Sequence, residues 1–345
     1  MSIRQTPSVM APAKKSGNWT RNLIGVVISC VCLAFIAWRI DLDEVRKAIA
    51  HFHWTFLLWG ALSLACGYVL RIARWSLLLK AAGADVSAPA CAAPFLGSIA
   101  LNNVLPMRLG DVVRALVFPS ALGIGRATAM GSLVMERLVD LMTLLACLVI
   151  GLAANPTFQL PSWMFKTAVT FAVCGGAALA LFFFFSGGLG RWCETLMAPG
   201  NRASEGPRGR LIAMARELLG SFESMSRLPV LFVLFILSML IWAGEAGLFW
   251  SLLLGFGLNS GPAAAIAVMA IATLSTLLPS SPGYVGPFHL AAYAAIGMLG
   301  GTPGLAASFA VLAHLGVWLP TTLAGGLAIL ANPKLFGGMR NRAAA

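Results

Sequence analysis

The chain has 345 residues and carries 24 Lys and Arg against 12 Asp and Glu, a formal charge of +12. Only 10% of its residues are charged and 59% are hydrophobic, with a mean hydropathy of +0.86, whereas soluble domains hold about 25% charged residues. That excludes an ordinary soluble domain and points to an all-α polytopic membrane protein. Its basic residues fall in loops between apolar runs, where topology and anionic headgroups account for them and nucleic acid is not an expected partner.

In chain order, residues 1–21 form a polar, basic tail with Arg4, Lys14, Lys15 and Arg21, without the pattern of a cleavable signal peptide. A span needs roughly 20 apolar residues, and the first candidate covers 22–38. The following DLDEVRKAIAHFHW reads as a short interfacial helix. A second span, 54–70, ends at Arg71, Arg74 and Lys80. Region 89–119 is apolar but interrupted, and a span over 129–153 follows. Another covers 163–186. The polar stretch 187–227 is rich in arginine and contains GRLIAMARELLGSFESM. That pattern fits an amphipathic helix on the membrane and fits a plain linker equally well. Spans at 229–254 and 304–330 flank a second interrupted region, 262–300, and 332–345 is a basic tail.

The expectation is one transmembrane domain over 22–331, with about six full spans and two re-entrant or broken hairpins. If both hairpins enter and leave on one side, the four basic clusters share the cytoplasm, with both termini inside a bacterial inner membrane.

WSLLL occurs at 75–79 and again at 250–254. Each copy leads into an interrupted region that reaches Leu-Pro with Gly four residues after the proline: LPMRLG (Pro106, Gly110) and LPSSPG (Pro279, Gly283). The tryptophan and proline lie 31 residues apart in the first copy and 29 in the second. The two halves, about 54–153 and 229–330, read as inverted repeats. In transporters, interrupted segments at corresponding positions mark the binding site, and irregular backbone at membrane depth must face protein or a watery cavity.

The densest polar signal is NNVLPMRLGDVVRALVF followed by MERLVDLM. Asp111 and Arg114 share a helix face, as do Glu136 and Asp140, with Arg137 offset by about 100°. A charge at mid-membrane costs about 2.5–3.5 kcal/mol, so Arg108, Asp111, Arg114, Glu136, Arg137 and Asp140 must pair or face water. A salt-bridge network and an arginine-lined pocket for a phosphate headgroup both fit, since guanidinium grips phosphate through a bidentate fork. Asn102 and Asn103 are suited to backbone groups freed by Pro106. Arg71 and Arg74 fit either snorkelling to headgroups or substrate contact. Glu245, mid-span, and His314 are candidates for proton coupling. His289 follows the second break, where Gly283 and Gly286 supply flexibility.

The seven cysteines are scattered without a CxxC pair, and the four histidines have no ligand spacing. No metal or cofactor is expected. There is no GxSxG, Walker or HExxH sequence, and no catalytic residue is assigned.

The series RxxRW (71–75), NxxPxRxGDxxRA (103–115), ERLxDL (136–141) and LPxxPGxxG (278–286) resembles the transmembrane region of lysylphosphatidylglycerol synthases. That region also occurs alone in flippase-like membrane proteins. The resemblance covers about 21–330 and implies handling of membrane lipids: phospholipid, glycolipid, hopanoid or polyprenyl-linked substrate. These residues leave no room for the soluble aminoacyl-transferase domain of the synthases, so synthesis of lysyl lipid is not expected of them. Where the family often has a glutamate after its last Gly motif, this chain reads GPFHLA with His289, which fits an anionic or neutral polar headgroup. The leading expectation is a lipid flippase or transporter, by a passive or ion-coupled route. Arg108, Arg114 and Arg137 would contact the phosphate, with Asp111, Glu136 and Asp140 orienting them. An intramembrane lipid-modifying transferase using Glu136 as base and a non-catalytic partner of a soluble synthesis enzyme are the alternatives.

Overall fold

A computed structural model describes residues 17–155, parts of 166–181 and 217–336, and these are helical without a strand. The expected span at 163–186, most of the 187–227 segment and both tails fall largely outside the described residues.

Helix α1 (Gly17–Arg39) is followed, after a bend of 87°, by α2 (Leu42–Ala50). The Asp41 carboxylate accepts from Asp43 N at 2.8 Å and starts α2. No residue of α2 is buried. Helix α3 (Thr55–Ala81) continues through Arg71 and Arg74 rather than stopping at 70. Its 27 residues extend about 40 Å. The first interrupted region becomes α4 (Ala88–Val104), a break at 105–108, α5 (Leu109–Leu116) and the short α6 (Pro119–Leu122). Helix α7 (Arg126–Ala153) follows.

After a helical segment at 217–225 come α8 (Leu228–Gly255), α9 (Pro262–Leu274), a break at 275–286, α10 (Pro287–Met298) and α11 (Pro303–Ala331). Proline opens α4, α8, α9, α10 and α11, a first-turn position where its missing N–H costs nothing.

Helices α3, α8 and α11 are long and apolar enough to cross a membrane. No stretch of α7 of spanning length avoids Glu136, Arg137 and Asp140. The chain is a multi-pass membrane protein whose exposed apolar side chains include Leu58, Trp59, Phe232 and Leu327.

The core lies around α9, where Ala264, Ala265, Ala267, Val268, Met269, Ala270 and Ala272 are all fully buried. A helix buried on every side must be apolar on every side, and small side chains let α7, α8 and α10 close around it. The second break is therefore carried at the end of the most enclosed helix. Residues 217–225, the described end of the arginine-rich segment, pack inward: Phe222 and Met225 are buried against Leu78, Met135, Val139 and Leu234.

Candidate functional site

Charged residues of α3, α5, α7 and α8 converge beside the two breaks. Arg74, fully buried on α3, forms a fork with the Asp140 carboxylate, Nη1–Oδ1 2.5 Å and Nη2–Oδ2 3.1 Å. Its Nη1 also donates to Ser238 Oγ at 2.6 Å. It is therefore an interior strut, not a snorkelling residue. One turn earlier, Arg71 donates to Glu245 Oε2 at 2.9 Å and lies 4.7 Å from the centre of the Trp242 ring. Glu245, expected to need a partner, has that arginine and the Thr273 hydroxyl at 3.3 Å.

Between α5 and α7 the pairing crosses. Arg114 donates to Glu136 Oε1 at 2.9 Å and lies 5.2 and 4.9 Å from the centres of the Trp75 and Phe95 rings. Arg137 Nη2 reaches both oxygens of Asp111 at 2.9 Å. Asp111 also accepts from Asn102 Nδ2 at 2.9 Å, while Asn102 Oδ1 accepts from Asp111 N at 3.0 Å. Asn102 thus supports the start of α5, as expected beside a proline break. Asn103 does something else: its Nδ2 donates to the hydroxyls of Thr321 and Thr322 on α11, at 3.0 and 2.9 Å.

Arg108 is different. Among the described residues it has no carboxylate within 4.0 Å; its Nη2 donates to Thr276 O at 3.1 Å, and its guanidinium lies 5.3 Å from the centre of the Tyr284 ring. Met107 and Arg108 both have positive φ, 60° and 54°, so two consecutive left-handed residues, each disfavoured outside glycine, aim this side chain. Pro106 opens that turn, and Gly110 lets α5 lie on α4, since a Cβ there would overlap Ser98 O and Asn102.

The second break meets the first. Pro279 and Gly283 line, with Pro106 and Arg108, a cavity of about 280 Å³. A second cavity of about 160 Å³ shares Asn102, Arg108, Thr276 and Tyr284 with it and reaches Arg71, Arg137, Glu245 and His314. The second break is held by contacts that sequence reasoning missed. Ser29 of α1 accepts from Ser281 N at 2.9 Å and donates to Val285 O at 2.7 Å. Gly286, at φ 100°, sits against the Ser29 backbone, in a conformation open only to glycine. His314 Nε2 donates to Gly283 O at 2.7 Å, and His289 Nδ1 accepts from Gly286 N at 3.4 Å. The two imidazoles lie 4.6 Å apart, centre to centre. His289 touches none of the arginines in these interactions; His314 faces the smaller cavity.

Among the described residues no cluster of His, Cys, Asp and Glu could hold a metal ion.

The family described as lysylphosphatidylglycerol synthase TM region matches residues 22–325. Glycosyltransferase AglD of Haloferax volcanii is 24% identical over 330 residues, covering 88% of this chain and 53% of that protein. The chain spans about half the length of that curated relative.

Proposed function

The chain belongs to the lysylphosphatidylglycerol synthase transmembrane-region family, and from that premise we propose that it moves or presents a lipid with a phosphate-bearing headgroup across the membrane. Arg108 carries the reading. Among the described residues five arginines meet at the site, Arg71, Arg74, Arg108, Arg114 and Arg137, against four carboxylates, Asp111, Glu136, Asp140 and Glu245; of these arginines Arg108 is the one with no described acid in reach. The surplus of one positive charge sits at the wall between two cavities.

A phosphate monoanion about 4 Å from a guanidinium gains about 4 kcal/mol at an effective dielectric of 20, enough to offset the cost of bringing one charge into the membrane. Arg108 would bind it; Arg114 and Arg137 would shape the local field while paired. The second break, neutral at Ser280, Ser281 and Tyr284, would form the opposite wall. In this reading about six spans and two broken hairpins form inverted repeats in an inner membrane with cytoplasmic termini, the breaks being the moving parts.

The test is reconstitution of the purified chain in liposomes with labelled phospholipids and polyprenyl phosphates. Protein-dependent exchange between leaflets is the expected result; equal exchange with and without protein across all lipids refutes transport. A second reading, a non-catalytic membrane partner in glycolipid synthesis, is favoured by the match to about half of a protein named a glycosyltransferase. It expects exchange-negative protein that co-purifies with a soluble enzyme.

A further inference from the structure

We propose that the smaller cavity selects an uncharged, hydroxyl-rich headgroup esterified to the phosphate held at Arg108, and rejects a cationic aminoacyl headgroup. This rests on the phosphate reading above and names the class of group beyond the phosphate.

The charges make the first half of the case. The cavity presents three guanidiniums, Arg71, Arg108 and Arg137, and one carboxylate, Glu245. That carboxylate is already bound by Arg71 at 2.9 Å and by the Thr273 hydroxyl at 3.3 Å. Asp111 and Asp140, which approach the cavity's Arg137 and Arg71, are themselves engaged, the first by Arg137 and Asn102 and the second by Arg74. An ammonium group placed here meets three guanidiniums and one carboxylate whose charge Arg71 already counters, and such like-charge juxtaposition is how a site discriminates against a wrong partner.

The neutral groups make the second half. Asn103, Thr273 and Thr321 supply amide and hydroxyl groups to the cavity wall, and the rings of Tyr68, Trp242 and Trp318 supply flat apolar surface. Glu245 has lone pairs beyond these two bonds, and the Arg137 side chain is 37% exposed. A carboxylate and a guanidinium on one wall accept from and donate to hydroxyls, while aromatic faces suit the C–H surface of a glycerol or sugar unit. Sites built to hydrogen-bond hydroxyls reject analogues that lack them, because their own polar groups are then left unpaired. The two cavities share Arg108, so a phosphate there places its ester substituent directly at this lining.

The experiment uses the full chain and four labelled lipids with matched tails: a glycosyl phospholipid, phosphatidylglycerol, lysyl-phosphatidylglycerol and phosphatidic acid. Equilibrium binding in detergent and leaflet exchange in vesicles are both measured. Binding of the glycosyl and glycerol heads at least about tenfold tighter than the lysyl ester and the bare phosphate supports the proposal. The Thr273→Val variant, which keeps side-chain volume, should narrow the ratio of hydroxylated head to bare phosphate by about tenfold. Selective binding without exchange supports the proposal while removing the transport reading. Exchange or binding that is indifferent to headgroup, or that favours the lysyl ester, overturns the proposal while phosphate binding stands. Failure to bind any of the four overturns both.

Discussion

Arg108→Ala separates the site from the scaffold. Arg108 donates to Thr276 O at 3.1 Å, rests 5.3 Å from the Tyr284 ring centre and is only half-buried. Losing that ring contact costs folding about 0.5–1 kcal/mol, and losing the Nη2 donor shared between Thr276 O at 3.1 Å and Thr276 Oγ1 at 3.4 Å costs about 1.5 kcal/mol at the low end of the range for a charged donor. No carboxylate is stranded, so the variant should fold with a loss of about 2 kcal/mol. The same residue removed from a bound phosphate forfeits about 1.5–3 kcal/mol, a 10- to 150-fold drop in affinity. Arg114→Ala is the contrast. It leaves Glu136, whose side chain is 2% exposed, with Arg137 no nearer than 4.0 Å, and stranding a buried charge costs about 3–5 kcal/mol. Thermal unfolding in detergent and lipid exchange in vesicles should therefore rank the two variants oppositely. Stability falls more for Arg114→Ala, and activity per folded molecule falls more for Arg108→Ala. Folded Arg108→Ala that exchanges lipid within twofold of the parent chain would refute the reasoning.

Three further changes follow from the packing. Asp140→Asn leaves Arg74 with Ser238 as its remaining close partner and should lower stability by about 3–5 kcal/mol, read as a fall in Tm. The paired change Arg74→Met with Asp140→Leu should recover much of it, because apolar residues of similar volume replace a buried ion pair without loss. Gly110→Ala puts a Cβ against Ser98 O and Asn102 and should cost about 1–3 kcal/mol, while weakening lipid binding by displacing Asp111 from Arg137. Ser29→Ala removes the bonds to Ser281 N and Val285 O. Hydrogen exchange should rise at 281–286 by roughly 10-fold or more, the equivalent of about 1.4 kcal/mol, with α3 and α8 unaffected.

Punctuation was the legible part of this sequence. Proline and glycine act through local backbone geometry, so Pro106 and Pro279 announce two breaks, and helix starts at Pro229, Pro262, Pro287 and Pro303 coincide with apolar runs. Pairing was not legible. Helical spacing places Asp111 and Arg114 on one face, yet each bonds to α7 instead, to Arg137 and Glu136. Arg74 and Asp140 are 66 residues apart and Arg71 and Glu245 are 174 apart, distances over which one sequence carries no register. Arg71 and Arg74 looked like the end of a span because arginine usually ends one; α3 runs on past both since acids on α7 and α8 meet them inside the protein. Ser29 gave no signal at all, being one serine in an apolar helix. Its role exists only because α1 folds against a break more than 250 residues away.

The cost of so many charges in a membrane protein has to be met by what they do together. Each pair ties two elements: α3 to α7, α3 to α8, and α5 to α7 twice. Those ties surround the two places where backbone hydrogen bonding lapses, at 105–108 and 275–286. A neutral, apolar lining there would leave freed backbone groups to lipid, which does not satisfy them. A fully balanced charge set would hold the breaks but attract no anion. On the proposed reading one arginine in excess would do both: the paired charges fix the walls, and Arg108, anchored among the described residues through Thr276 and Tyr284, would keep a guanidinium whose countercharge comes from elsewhere. On the proposed reading a headgroup phosphate would bring one negative charge and leave the site neutral, which is the condition for a charged lipid headgroup to rest inside a membrane at modest cost.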